Sequence, residues 1–141
     1  DQSKIDRLHA GVMPIYEPGL DSLVDSNVKA GRLTFTTNLA EGIKGAAAIF
    51  IAVGTPSRRG DGHADLTFVY EVAREVGEHL AGDAVIVTKS TVPVGTGDEV
   101  ERIIRETGTG HKFSVVSNPE FLREGAAIGD FKRPDRIVIG A

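Results

Sequence analysis

The sequence predicts an α/β fold, a parallel sheet with helices on both faces. Three observations lead there. Strand-length apolar runs rich in Ile and Val occur at residues 47–53, 84–88 and 113–117, as expected of strands buried in a parallel sheet. Between them, apolar residues recur at helical spacing: Val69, Val72, Ala73, Val76 and Leu80, then Val100, Ile103 and Ile104. Strand and helix alternate in order, and neighbouring parallel strands need such a crossover.

The remaining elements follow in chain order. Residues 2–8 read as a helix with Ile5, Leu8 and Val12 on one face, broken by Gly11 and Pro14. Leu20, Leu23, Val24 and Val28 mark a second helix, which Gly31 ends. Residues 32–37 read as a short strand, and Asn38 as the N-cap of a short helix ending near Lys44 and Gly45. Asp65 is placed to cap the helix that begins beyond the loop 54–62. Residues 136–139 read as a fourth buried strand. No repeat or internal boundary interrupts the pattern, so residues 1–141 read as one domain.

Composition narrows the function. A net charge of -4 offers no basic field to attract nucleic acid. No apolar run reaches the roughly 20 residues of a membrane span, and no signal peptide is visible, so no membrane partner and a cytoplasmic location are expected. There are no cysteines, which excludes disulfide and thiolate chemistry within this chain. His9, His63, His79 and His111 are scattered without metal-ligand spacing, and no metal site is expected. The chain opens at Asp1 directly into a helical pattern and stops just after a strand-like run. It reads as a piece of a longer protein.

In an open parallel sheet, ligands bind beyond the carboxyl ends of the strands. Three loops leave such ends. In Val53-Gly54-Thr55-Pro56, Gly54 admits close backbone approach, Thr55 offers a hydroxyl and Pro56 fixes the turn; a simple strand-ending turn is the alternative. In Lys89-Ser90-Thr91-Val92-Pro93-Val94-Gly95-Thr96, a lysine and two hydroxyls precede a helix N-terminus suited to anionic or carbonyl ligands. The alternative there is ordinary capping by Thr96 with Lys89 solvated. In Asn118-Pro119-Glu120-Phe121-Leu122-Arg123-Glu124-Gly125, two carboxylates sit four apart, on one face if the turn is helical, with Arg123 beside them. Desolvation by Phe121 and Leu122 would favour a general base there; the alternative is a helix start with dipole-favoured glutamates. Arg58-Arg59-Gly60-Asp61-Gly62-His63 is a surface loop or a phosphate-facing lid.

Taken in order with Pro14-Ile15-Tyr16-Glu17-Pro18-Gly19-Leu20 and Pro134-Asp135-Arg136-Ile137-Val138-Ile139-Gly140, these segments resemble the UDP-glucose/GDP-mannose dehydrogenase family over essentially the whole chain. The segment around Gly60-Asp61-Gly62 and Ala64-Asp65-Leu66 is most similar to bacterial UDP-glucose 6-dehydrogenases. The resemblance implies a Rossmann-type doubly wound domain with NAD as cofactor, a linking helix and a second, UDP-binding domain. It implies two oxidations at the C6 alcohol of a nucleotide sugar, UDP-glucose to UDP-glucuronate above all. It also implies a homodimer or higher homo-oligomer for the full-length protein. Lys4 matches a basic position near the adenosine ribose, and Gly54, Thr55 and Pro56 line the dinucleotide. Ser90 and Thr91 reach the nicotinamide side, and the Thr91 hydroxyl helps position water and carboxylate. Glu120 is the acid/base residue; Phe121, Leu122, Arg123 and Glu124 hold the nucleotide sugar with it, and Glu124 also faces the cofactor.

The chain departs from the family where the family has an opening strand and a Gly-x-Gly-x-x-Gly phosphate turn, neither of which this sequence contains. The family's nucleophilic cysteine, which traps the aldehyde before the second hydride transfer, has no counterpart here. The fragment alone is therefore expected to be inactive. The alternatives are oxidation of GDP-mannose or a UDP-N-acetylhexosamine, and, in another class, a non-catalytic nucleotide-binding or interaction fragment.

Overall fold

The computed structural model of the chain describes residues 1–58, 60 and 62–141, so Arg59 and Asp61 of the expected surface loop lie outside the described residues. Two compact units are present: Asp1–Asn38 with Phe121–Arg136, and Leu39–Glu120 with Ile137–Ala141.

The second unit holds the sheet. Strands β1 (Ala48–Ile51), β2 (Ala84–Thr88) and β3 (Phe113–Ser117) are all parallel, in the order β1-β2-β3. Helix α4 (Thr67–His79) crosses from β1 to β2, and α5 (Thr96–Glu106) from β2 to β3. Helix α3 (Leu39–Ile43) precedes β1. The core is where the predicted helix faces meet the sheet. Val69, Ala73 and Val76 of α4 and Val100, Ile103 and Ile104 of α5 pack with Ile49, Ile51 and Ile86. Burying each Val or Ile side chain among them contributes about 1.5–3 kcal/mol. Gly77 permits the close contact of the two helices: a Cβ there would lie 2.7 Å from Thr107 Oγ1 and 3.2 Å from Ile104 Cα.

The α/β class and the parallel sheet agree with the sequence, but several local expectations do not hold. Among the described residues of this unit, β1 is covered on one face: Ile49 and Ile51 are buried while Phe50 is 57% exposed. The core residues of α4 and α5 all join Ile49, Ile51 and Ile86 on that one side. Residues 136–139 do not form a strand. The next residue, Gly140, forms an isolated antiparallel bridge with Ser117, and Ile137 and Ile139 are exposed. Asp65 is not the cap of α4; Leu66 is. Asp65 still accepts from the N–H (3.0 Å) and hydroxyl (2.6 Å) of Thr67. The hydroxyl first, then the N–H, holds its carboxyl below the usual range. Thr96 is the first helical residue of α5, with Gly95 at the cap, and its hydroxyl donates to Pro93 O at 2.7 Å.

The first unit is helical. Helix α1 (Gln2–His9) is capped by Asp1, whose carboxylate accepts from Lys4 N–H at 3.3 Å. Helix α2 (Leu20–Lys29) ends as predicted, with Arg32 N–H reaching Asn27 O at 2.9 Å beyond Gly31. Helix α6 (Ala127–Lys132) has no counterpart among the sequence expectations. Residues 32–37 are irregular, not a strand. A strand is defined by a neighbour to bond with, and among the described residues this segment has none. Its side chains still pack locally, with the rings of Phe35 and His9 6.0 Å apart.

Candidate dinucleotide and substrate site

The parallel register sets Ile51, Thr88 and Ser117 level with one another. The three loops that follow therefore leave the sheet along one edge, where ligands bind in folds of this class. Hydrogen bonds knit them together. Lys89 N–H donates to Ile51 O at 2.8 Å, and Ser90 Oγ to Val53 O at 2.7 Å. Thr55 Oγ1 donates to Thr91 O at 3.2 Å. On the other side, Asn118 N–H donates to Thr88 O at 3.0 Å, Lys89 Nζ to Asn118 Oδ1 at 3.2 Å, and Asn118 Nδ2 to Val138 O at 2.8 Å.

Lys89 is thus half-buried and engaged with Asn118, not simply solvated. What remains open along this edge is Gly54, with nothing within 4 Å of where its Cβ would be, and the exposed Pro56, Thr91 and Glu120. Among the described residues the Thr91 hydroxyl and the Glu120 carboxylate make no hydrogen bond or ion pair, which leaves both free for a ligand. Thr88 Oγ1, buried at the end of β2, also has no partner among the described residues. Open backbone at Gly54 and uncommitted hydroxyl and carboxylate groups fit a dinucleotide lying along the edge. The burial invoked for Glu120 is not present, since Glu120 is exposed. The helical premise for the turn also fails: residues 118–123 are irregular and α6 begins at Ala127, so Glu120 and Glu124 do not share a helix face.

The other expected site residues, Lys4, Phe121, Leu122, Arg123 and Glu124, belong to the first unit. Lys4 is exposed on α1 and Phe121 is 60% exposed. Here the segment holding Glu17 and the segment following Leu122 meet. Glu17 Oε2 accepts from Gly125 N–H at 2.8 Å. Asp130 takes three bonds from Arg123: from its N–H and Nε at 3.0 Å and from Nη2 at 2.7 Å. The Arg123 guanidinium, and next its N–H, hold the Asp130 carboxyl down at about 2. An open groove of about 500 Å³ lies between Glu17, Pro18, Arg123, Gly125, Asp130 and Arg133. Sequence reasoning missed Asp130 altogether, because a spacing of seven outside a regular helix carries no periodic signal; it had Glu17 only as part of a motif.

Residues 1–141 match the model of the UDP-glucose/GDP-mannose dehydrogenase family, NAD binding domain, from end to end. The chain belongs to the UDP-glucose/GDP-mannose dehydrogenase family. It is 67% identical over 140 residues to the UDP-glucose 6-dehydrogenase of Rhizobium meliloti (strain 1021), covering 99% of this chain and 32% of that protein. Among solved structures it is similar to a UDP-glucose dehydrogenase of Pyrobaculum islandicum, with a TM-score of 0.93 and 48% identity over 99% of this chain and 33% of the other. It is also similar to the GDP-mannose dehydrogenase of Pseudomonas aeruginosa, with a TM-score of 0.92 and 38% identity over 99% of this chain and 34% of the other. The chain thus spans about a third of the length of the relatives it matches. In this family's cofactor domain the dinucleotide is NAD, and the parallel sheet with its crossover helices is consistent with a Rossmann fold.

Proposed function

We propose that the protein carrying this chain oxidises the C6 alcohol of UDP-glucose to the acid, UDP-glucuronate, and that residues 1–141 are part of its cofactor domain. The observation that carries this reading is the gathering of three strand-end loops along one sheet edge, with Thr91 and Glu120 uncommitted there. The choice of sugar is supported by the 67% identity to a protein described as UDP-glucose 6-dehydrogenase.

In this reading Gly54, Thr55 and Pro56 border the dinucleotide, Ser90 and Thr91 the nicotinamide end, and Lys4 the adenosine ribose. Alcohol to acid releases two hydrides from C6, and NAD supplies the acceptor for each, two NAD per acid formed. Glu120 takes the hydroxyl proton as the first hydride departs, which is general-base work for a carboxylate within hydrogen-bond reach. Thr91 orients the water that the second oxidation consumes, and Glu120 handles the proton of that step too. Phe121, Leu122, Arg123 and Glu124 hold the nucleotide sugar, and Glu124 also faces the cofactor. The protein works in the cytoplasm as a homodimer or larger homo-oligomer.

The test is NADH formation by the full-length protein with UDP-glucose, GDP-mannose and UDP-N-acetylhexosamines supplied separately. UDP-glucose is expected to give the highest kcat/KM. NADH from another sugar and none from UDP-glucose would overturn the substrate assignment.

A further inference from the structure

The two bonding arrangements around residues 123–125 lie outside every role assigned above. Gly125 sits at φ +79, a conformation that favours glycine, and its N–H is held by a carboxylate from 108 residues away in the chain. Two residues earlier, Arg123 is held by its side chain and its own N–H to a single carboxylate, Asp130, whose side chain is only 18% exposed. Bonds from N–H groups to ionised carboxylates are stronger than neutral ones. The short segment between these two points has no helix or strand to fix its shape.

We propose that Glu17 and Asp130 are positioning residues that clamp the backbone of residues 123–125, and that Arg123 serves substrate binding through this clamp and not through a guanidinium contact with the sugar nucleotide. The inference rests on the reading that residues 121–124 hold the substrate. The Arg123 guanidinium then acts within the chain, since two of its nitrogens and the backbone N–H are committed to Asp130. Both carboxylates bond to residues 123–125 of the chain itself. Their effect is to have the binding segment already shaped when the sugar nucleotide arrives, so less ordering is required on binding.

The test uses the full-length protein and two readouts. Hydrogen exchange at the Gly125 amide reports the clamp itself. Steady-state kinetics with UDP-glucose and NAD varied separately report its consequence. Glu17→Ala is expected to speed exchange at Gly125 and raise KM for UDP-glucose, each about tenfold, with KM for NAD and the melting temperature little changed. Glu17→Gln keeps an acceptor oxygen and is expected to restore most of both. Asp130→Ala is expected to raise the same KM. Unchanged exchange in Glu17→Ala overturns the clamp. Faster exchange with unchanged KM, or an equal rise in both KM values, overturns the positioning role. A wild-type protein that forms no NADH from any nucleotide sugar overturns the proposed function instead, and the exchange result alone then decides the clamp.

Discussion

Ser90 Oγ donates to the carbonyl oxygen of Val53 at 2.7 Å, joining the exits of β2 and β1 across 37 residues of sequence. This bond orders the two loops proposed to border the dinucleotide. Ser90→Ala removes the donor and leaves a half-buried carbonyl short of a partner, which costs about 0.5–1.5 kcal/mol. Urea unfolding of the full-length protein should show that loss, and KM for NAD should rise more than KM for UDP-glucose. Wild-type stability and an unmoved KM for NAD would mean the bond orders nothing.

Helix packing supplies a second prediction. Gly77→Ala puts a methyl group 2.7 Å from Thr107 Oγ1 and 2.8 Å from Thr107 Cγ2. Overpacking of this kind costs about 1–3 kcal/mol. Thr107→Ala removes both obstructing atoms, at the expense of the Thr107 Oγ1 to Ile104 O bond of 2.7 Å. The double variant should therefore lose less stability than the sum of the singles. Additive losses by thermal melting would show that the clash is relieved elsewhere.

A pH dependence follows from Asp130. Its carboxyl, held at about 2 by Arg123, titrates below the 3.8 of a free aspartate. A depressed folded-state value stabilises the fold above the unfolded value, and that stability is lost as pH falls through the folded one. The melting temperature of wild type should exceed that of Asp130→Asn by a steady margin above about pH 4. The margin should close as pH approaches 2. A margin that persists unchanged to that pH would contradict the pairing.

The 141-residue chain should bind NAD weakly or not measurably. A Gly-x-Gly-x-x-Gly turn is what brings the pyrophosphate onto a helix N-terminus, and this sequence contains none. Calorimetric titration decides the point, and micromolar affinity would contradict the weight given to that turn.

The sheet and its covering helices were legible because their signals are local and periodic. Val69, Ala73 and Val76 and then Val100, Ile103 and Ile104 mark faces that do become core. Residues 32–37 misled because strand propensity is realised only beside a partner. Residues 136–139 misled for the same reason, and only Gly140 just beyond them forms a bridge, with Ser117. At the candidate site, the sequence picked out loops that the structure gathers along one edge of the sheet, since strand ends and small polar residues are readable together. It could not reveal that Lys89 would turn to Asn118, or that Glu17 would reach Gly125. Those pairings depend on how distant segments meet, and neither spacing nor periodicity encodes them.

Glu120 as the group that handles the proton at C6 of the nucleotide sugar is the point on which the proposed chemistry stands. NADH formation from UDP-glucose by full-length wild type and Glu120→Gln, with NAD binding measured in both, tests it most directly. Glu120→Gln is expected to lose about 10²–10⁴-fold in kcat while keeping its NAD affinity. A Glu120→Gln protein that turns over within a few-fold of wild type would contradict the assignment.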